Sequence, residues 1–300
     1  MNQPIAFASA PLGHHLMGVD IAAGVSEPQF AAIETAFNRY GVIALRNQRI
    51  TPEQHIAFSR RFGPTERYGI ASYLLPGHPE IFVVSNIVED GKPIGMADAG
   101  RAWHSDMCYV PNPPRCSLLY ALEVPRDDHG EPLGDTCFAS TQSAYDALPE
   151  DTKRRLDGLT VRNSYAASVE RKQRLKRDHV GEFSQEERQK ARDKFPDVLH
   201  PLVREHPITG RKCLYLSEGL SAGIEGLSET DSDALMAGLL EHMTKPEFVY
   251  RHRWCEGDLL LWDNCSSIHL ATCDFTPEQR RRMHRTTILN ADSAASGVLA

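Results

Sequence analysis

Two short stretches, far apart in the chain, carry side chains that metal ions take up: Trp103-His104-Ser105-Asp106 and Trp262-Asp263-Asn264-Cys265-Ser266-Ser267-Ile268-His269. His104 and Asp106 are two residues apart. On an extended strand, alternate side chains leave the same face. That spacing aims an imidazole and a carboxylate at one point. Trp103 and the run Met107-Cys108-Tyr109-Val110 around the pair predict a half-buried strand. His269 follows Asp258-Leu259-Leu260-Leu261-Trp262-Asp263-Asn264, an apolar run that reads as a buried strand ending in a turn. A distant strand can therefore deliver His269 as a third ligand. The fold must bring these segments together.

Two imidazoles and one carboxylate form the facial triad of non-haem Fe(II) sites, which leaves positions open for a cosubstrate and O2. Zinc accepts the same three ligands with a water, so a zinc hydrolase is the competing reading. Shortly after His269 comes Arg280-Arg281-Arg282-Met283-His284-Arg285, a basic cluster able to hold an acid near a metal. On a strand, Arg281, Met283 and Arg285 share one face, and Arg280 and Arg282 share the other.

Composition narrows the classes. Of 300 residues 41% are apolar, enough for a sizeable core. The formal charge is -7, from 33 basic and 40 acidic side chains, which argues against a nucleic-acid binder that relies on bulk electrostatics. The seven cysteines are odd in number and contain no C-x-x-C, so they read as reduced thiols of a cytoplasmic protein. Neither a secretion signal nor a membrane-spanning run stands out.

Helix and strand signals are plain in places. Ser26-Glu27-Pro28-Gln29 is a capping box, and Phe30, Ile33, Phe37 and Tyr40 form one apolar stripe ended by Gly41. Thr51-Pro52-Glu53-Gln54 repeats the device, predicting a helix that runs to Gly63. Strands are expected at 42–45, 81–84, 117–122 and 212–216. Further helices are expected near Thr141–Leu148 and after Ser228, with Leu235, Leu239 and Met243 on one face of the latter. The stretch Ala166 to Lys194 is highly charged and reads either as a solvated helix or as a lid.

The ordered motifs together resemble the taurine dioxygenase family, including the 2,4-dichlorophenoxyacetate dioxygenases. They run from Pro11-Leu12-Gly13 and Gly18-Val19-Asp20-Ile21 through Phe58-Ser59-Arg60-Arg61-Phe62-Gly63-Pro64, Trp103 to Asp106, and Gly134-Asp135-Thr136. They end in Glu247 to Trp254, Trp262-Asp263-Asn264 and His284-Arg285-Thr286-Thr287. The resemblance implies an α+β fold: one catalytic domain over 1–300, a double-stranded β-helix (jelly-roll) core with flanking helices, and a lid at about 166–194. It implies Fe(II) on His104, Asp106 and His269, with 2-oxoglutarate and O2 as cosubstrates. Arg281 and Thr136 would bind the cosubstrate's far carboxylate. Arg285 would pair with the prime substrate, and Tyr68 and Tyr73 would supply pocket wall. The Asp106 carboxylate favours oxygenation over halogenation. The expected reaction is hydroxylation of a C–H bond in a small organic anion (carboxylate, sulfonate, sulfate ester or aryloxyalkanoate), releasing succinate and CO2. Desaturation or cyclisation is the alternative on the same scaffold, and a non-catalytic binder is a third reading. Relatives suggest a homo-oligomer, dimer or tetramer.

Overall fold

The computed structural model describes residues 12–67, 71–97, 99–167 and 184–290. Its centre is a seven-stranded sheet. In spatial order the strands are His14–Leu16, Val42–Leu45, Leu259–Asp263, Cys116–Glu123, Arg282–Ile288, His78–Ser85 and Leu74–Leu75. The first pair is parallel and the rest are antiparallel. A second sheet places Thr136–Ser140 between Val249–His252 and Ser267–Ala271.

The apolar runs of the large sheet are continuous because both faces are covered. Ile43, Leu45, Leu118, Tyr120, Leu259 and Leu261 pack outward with Phe30, Ile33, Phe37, Phe58 and Phe62. Those aromatics come from the helices Glu27–Tyr40 and Pro52–Ser59 and the turn that follows. The alternate residues Val42, Ala44, Leu119, Ala121, Leu260 and Trp262 pack inward with Phe138 of the second sheet. The period of two along each strand thus builds two cores, and the inner one lies beside the candidate site.

Local signals act as the chain predicts. Both early helices have reciprocal capping boxes and a proline in the first turn. Gly41 ends the first helix at φ 64, its N–H donating to the Phe37 carbonyl. The helix after Ser228 spans Glu229–Met243; Leu239 and Met243 are buried and Leu235 packs against their cluster.

Three boundaries differ from expectation. The second helix stops at Ser59, and turns carry the chain to Gly63. The 212–216 strand ends at Leu214. Trp103–Val110 is not a strand: His104 makes a single antiparallel bridge to His269, and the chain then turns, with Met107 at φ 49. Ser217 Oγ accepts the Ser105 N–H there, and the Val110 N–H donates back to the Met107 carbonyl.

Most of the expected lid, 168–183, lies outside the described residues. Its far end is the helix Gln185–Lys194. Phe195, which follows, packs against Tyr109 and Tyr165 at ring separations of 5.3 and 5.2 Å. That ties the end of the charged segment to the turn beyond Asp106.

Candidate active site

His104 and His269 are bound to each other through their backbones. Each N–H donates to the other's carbonyl, at 3.1 and 2.8 Å. Directly paired residues leave a sheet on the same side, so the two rings stand 4.1 Å apart between centroids. Asp106 reaches the same point from the turn, its Oδ1 3.7 Å from His104 Nε2 and 3.9 Å from His269 Nε2. Ligand atoms of the three side chains lie within 4.8 Å of one another.

The donor chemistry fits a metal ion. His104 Nδ1 lies 2.8 Å from the Ala102 carbonyl oxygen. A carbonyl only accepts, so Nδ1 carries the proton and Nε2 presents a bare lone pair toward Asp106. Burial, reinforced by the neighbouring His104, holds the His269 imidazole down to about 3, so it is neutral at ordinary pH. Burial alone would raise the Asp106 carboxyl. The Arg285 guanidinium brings it well below the usual carboxylate range. Asp106 Oδ2 accepts from Ser117 Oγ at 2.6 Å, which fixes the carboxylate plane and turns Oδ1 to the imidazoles.

Around this point the wall is apolar. Trp262 lies 4.9 Å from the His269 ring, and Phe138 stacks on that ring at 5.8 Å. Asp263 shapes the preceding turn, its Oδ1 accepting from the N–H groups of Cys265 and Ser266.

The basic cluster divides by face. Arg280 is exposed and pairs with Glu123 at 2.8 Å. Arg281 is only 5% exposed. It sits one residue before the Arg282–Ile288 strand, not within it as strand parity assumed, and the pairing shifts register between Arg282 and Met283. Its peptide is clamped instead: the N–H donates to Asn86 Oδ1 at 2.8 Å, and the carbonyl accepts from Ser85 Oγ at 2.7 Å. The guanidinium lies over the Phe275 ring at 5.9 Å, and its Nε has no hydrogen-bond partner among the described residues. Burial lowers this guanidinium to about 10.

Thr136 opens the central strand of the second sheet and is buried. Two residues earlier, Gly134 has φ +73, and a Cβ there would lie 3.1 Å from the Phe275 ring and 3.4 Å from Arg281 Nε. Glycine lets the guanidinium close onto the strand that carries Thr136.

Arg285 lies 3.1 Å through Nη1 from Asp106 Oδ1, and its guanidinium sits over the Phe82 ring at 5.1 Å. Tyr73 packs edge-on against the same Phe82 ring at 6.1 Å. Tyr68 lies outside the described residues. Ser117 carries no sequence signal for its contact with Asp106. It stands in an apolar strand, and its partner is a tertiary neighbour.

Comparison with known proteins names the class. The taurine catabolism dioxygenase TauD, TfdA family matches residues 3–287, and the chain belongs to it. It is therefore a 2-oxoglutarate-dependent dioxygenase, as the motif resemblance implied. Among its relatives is the pentalenolactone F synthase of Streptomyces arenae, 35% identical over 95% of this chain and 94% of that one. Another is the alpha-ketoglutarate-dependent 2,4-dichlorophenoxyacetate dioxygenase of Cupriavidus pinatubonensis, 35% identical over 91% and 92%. The crystal structure of AAD-2 in complex with Mn(II) and N-oxalylglycine superposes with TM-score 0.79, at 31% identity, covering 96% of this chain and 98% of that one. A taurine dioxygenase from Burkholderia xenovorans superposes with TM-score 0.74, at 30% identity, covering 94% and 87%. No helix among the described residues is long and apolar enough to cross a membrane.

Proposed function

We propose that this chain is an Fe(II)- and 2-oxoglutarate-dependent dioxygenase that hydroxylates a C–H bond of a small organic anion. One observation carries the reading: a buried guanidinium, Arg281, that no carboxylate among the described residues neutralises lies against Gly134, just before the strand that pairs with the one carrying His269. A zinc hydrolase on the same ligands has no need of that cation. Buried charges are stable when paired, so the site is built to receive an anion.

In this reading His104, Asp106 and His269 hold the ferrous ion. Bound there, it supplies activation of O2, coupled to conversion of 2-oxoglutarate to succinate and CO2. Arg281 grips the cosubstrate's far carboxylate as a charge-assisted fork, and Thr136 donates its hydroxyl to the same group. Trp262, Phe138 and Phe82 keep water from the reacting C–H bond. Arg285 holds the anionic end of the prime substrate close to Asp106, with Tyr73 behind Phe82 as pocket wall. The two sheets facing across the inner core support a double-stranded β-helix, and one catalytic domain over the whole chain is the simplest organisation.

Relatives named for 2,4-dichlorophenoxyacetate, (S)-phenoxypropionate and sulfate ester dioxygenation favour an anionic substrate. The relative named as a synthase supports a second reading, desaturation or ring closure in a biosynthetic sequence. The test is a substrate screen. Purified protein with Fe(II) and 2-oxoglutarate is offered aryloxyalkanoates, sulfonates, sulfate esters and other carboxylates, scoring succinate and the organic product. Substrate-dependent succinate that disappears in His104→Ala, Asp106→Ala and His269→Ala is expected. Full activity with zinc and no iron would refute the oxygenase reading.

A further inference from the structure

Thr136 Oγ1 does not stand alone: the indole N–H of Trp254 donates to it at 3.0 Å. Trp254 is fully buried, and no contact of its indole nitrogen with another polar group is seen among the described residues. We infer that Trp254 is a positioning residue for the cosubstrate, orienting the Thr136 hydroxyl so that its proton points at the incoming carboxylate. This rests on the reading of Thr136 and Arg281 as the 2-oxoglutarate pair.

A threonine hydroxyl has one proton and two lone pairs, and an indole nitrogen is a donor only. With one lone pair committed to Trp254, the Thr136 proton cannot lie along that direction. It is left to donate elsewhere, while the oxygen is held still. Thr136 itself is fixed from both sides, facing His252 on one neighbouring strand and Ala271 on the other.

The indole is equally constrained. Its ring meets His252 edge-on at 4.7 Å. His252 is tied through Nδ1 to the Tyr250 hydroxyl at 2.9 Å and through Nε2 to Asp258 at 3.0 Å. Asp258 in turn pairs with Arg46. A rigid chain of side chains therefore stands behind a single hydrogen bond. A hydroxyl oriented before binding loses less freedom when the ligand arrives. The Trp254 N–H donates to Thr136, so removing it leaves the Arg285–Asp106 and Tyr73–Phe82 contacts in place.

Trp254→Phe keeps the ring and removes the N–H. Calorimetric titration of 2-oxoglutarate into zinc-loaded protein should show an affinity about three- to tenfold weaker, the worth of one hydrogen bond. The KM for the prime substrate should stay within about twofold in the iron enzyme. Thr136→Val should weaken 2-oxoglutarate binding too, and Trp254→Phe should add nothing further in that background. An undiminished affinity in Trp254→Phe, with Thr136→Val impaired, would overturn this inference and leave the assigned function standing. So would full additivity of the two. An unimpaired Thr136→Val would overturn both. If Trp254→Phe fails to fold, the wild-type protein decides. In the zinc-loaded form the Trp254 indole 15N–1H signal should shift on adding 2-oxoglutarate, and a signal that does not move refutes the proposal.

Discussion

Replacing Arg281 by Met separates a binding cation from a structural one, because the two roles predict opposite signs for stability. Burial brings the Arg281 guanidinium from an ordinary 12.5 to about 10. That difference corresponds to about 3 kcal/mol against the charged form in the ligand-free protein. No carboxylate of the described chain offsets it, so the ligand-free fold carries the burden. Methionine fills similar space without charge. The ligand-free Tm of Arg281→Met should therefore hold steady or rise. Its affinity for 2-oxoglutarate should fall by about 2–5 kcal/mol, very roughly 30- to several-thousand-fold, because a charge-assisted pair in a dry site is lost. Arg280→Met is the control. Its exposed pair with Glu123 is worth little, and 2-oxoglutarate affinity should change by less than about threefold. The assays are calorimetric titration of the zinc-loaded protein and differential scanning of the metal-free protein. A Tm several degrees lower in Arg281→Met, or an intact affinity for 2-oxoglutarate, would refute the reasoning.

Other side chains make separate predictions. Ser117→Ala removes the hydroxyl that fixes Asp106 Oδ2 and should weaken metal affinity about 10- to 100-fold, read by competition with a chelator; no change would show that the carboxylate is held otherwise. Arg285→Gln should raise the prime-substrate KM at least about tenfold and leave 2-oxoglutarate affinity within about threefold. If both ligands weaken and Tm falls together, the Arg285–Asp106 contact is structural. Burial raises the Glu66 carboxyl from 4.5 to about 7. The unfolded chain releases that proton first, so this group's contribution to stability falls as pH rises from about 4.5 to 7. Glu66→Gln should gain about 1–3 kcal/mol over wild type at pH 8 and little at pH 4.5; equal stability curves would refute the shift.

How much of this was legible in the chain depends on whether the physics is local. Helix starts at Ser26 and Thr51 were readable because a capping box is closed by residues three apart. Strands at 42–45 and 117–122 were readable because both their faces are buried, which leaves uninterrupted apolar runs. His104, Asp106 and His269 were readable as metal-ligating residue types at a spacing. The reason they converge was not: His104 and Asp106 do not lie on a common strand. A one-residue bridge to His269, followed by a turn with Met107 in the left-handed region, brings them together.

The same division runs through the basic cluster. The sequence placed a basic cluster after His269, and strand parity preferred Arg281 within it. Its burial is decided in space, by Asn86 and Ser85 gripping the Arg281 peptide and by the absence of a side chain at Gly134. Likewise the sequence determined the candidate ligand set, the covered sheets and the family motifs. Only the tertiary structure decided that Ser117 holds Asp106, that Trp254 holds Thr136 and that Arg285 pairs with Asp106. Capping, periodicity and ligand chemistry are properties of neighbouring residues. A hydrogen bond between Trp254 and Thr136 exists only after two distant strands have paired.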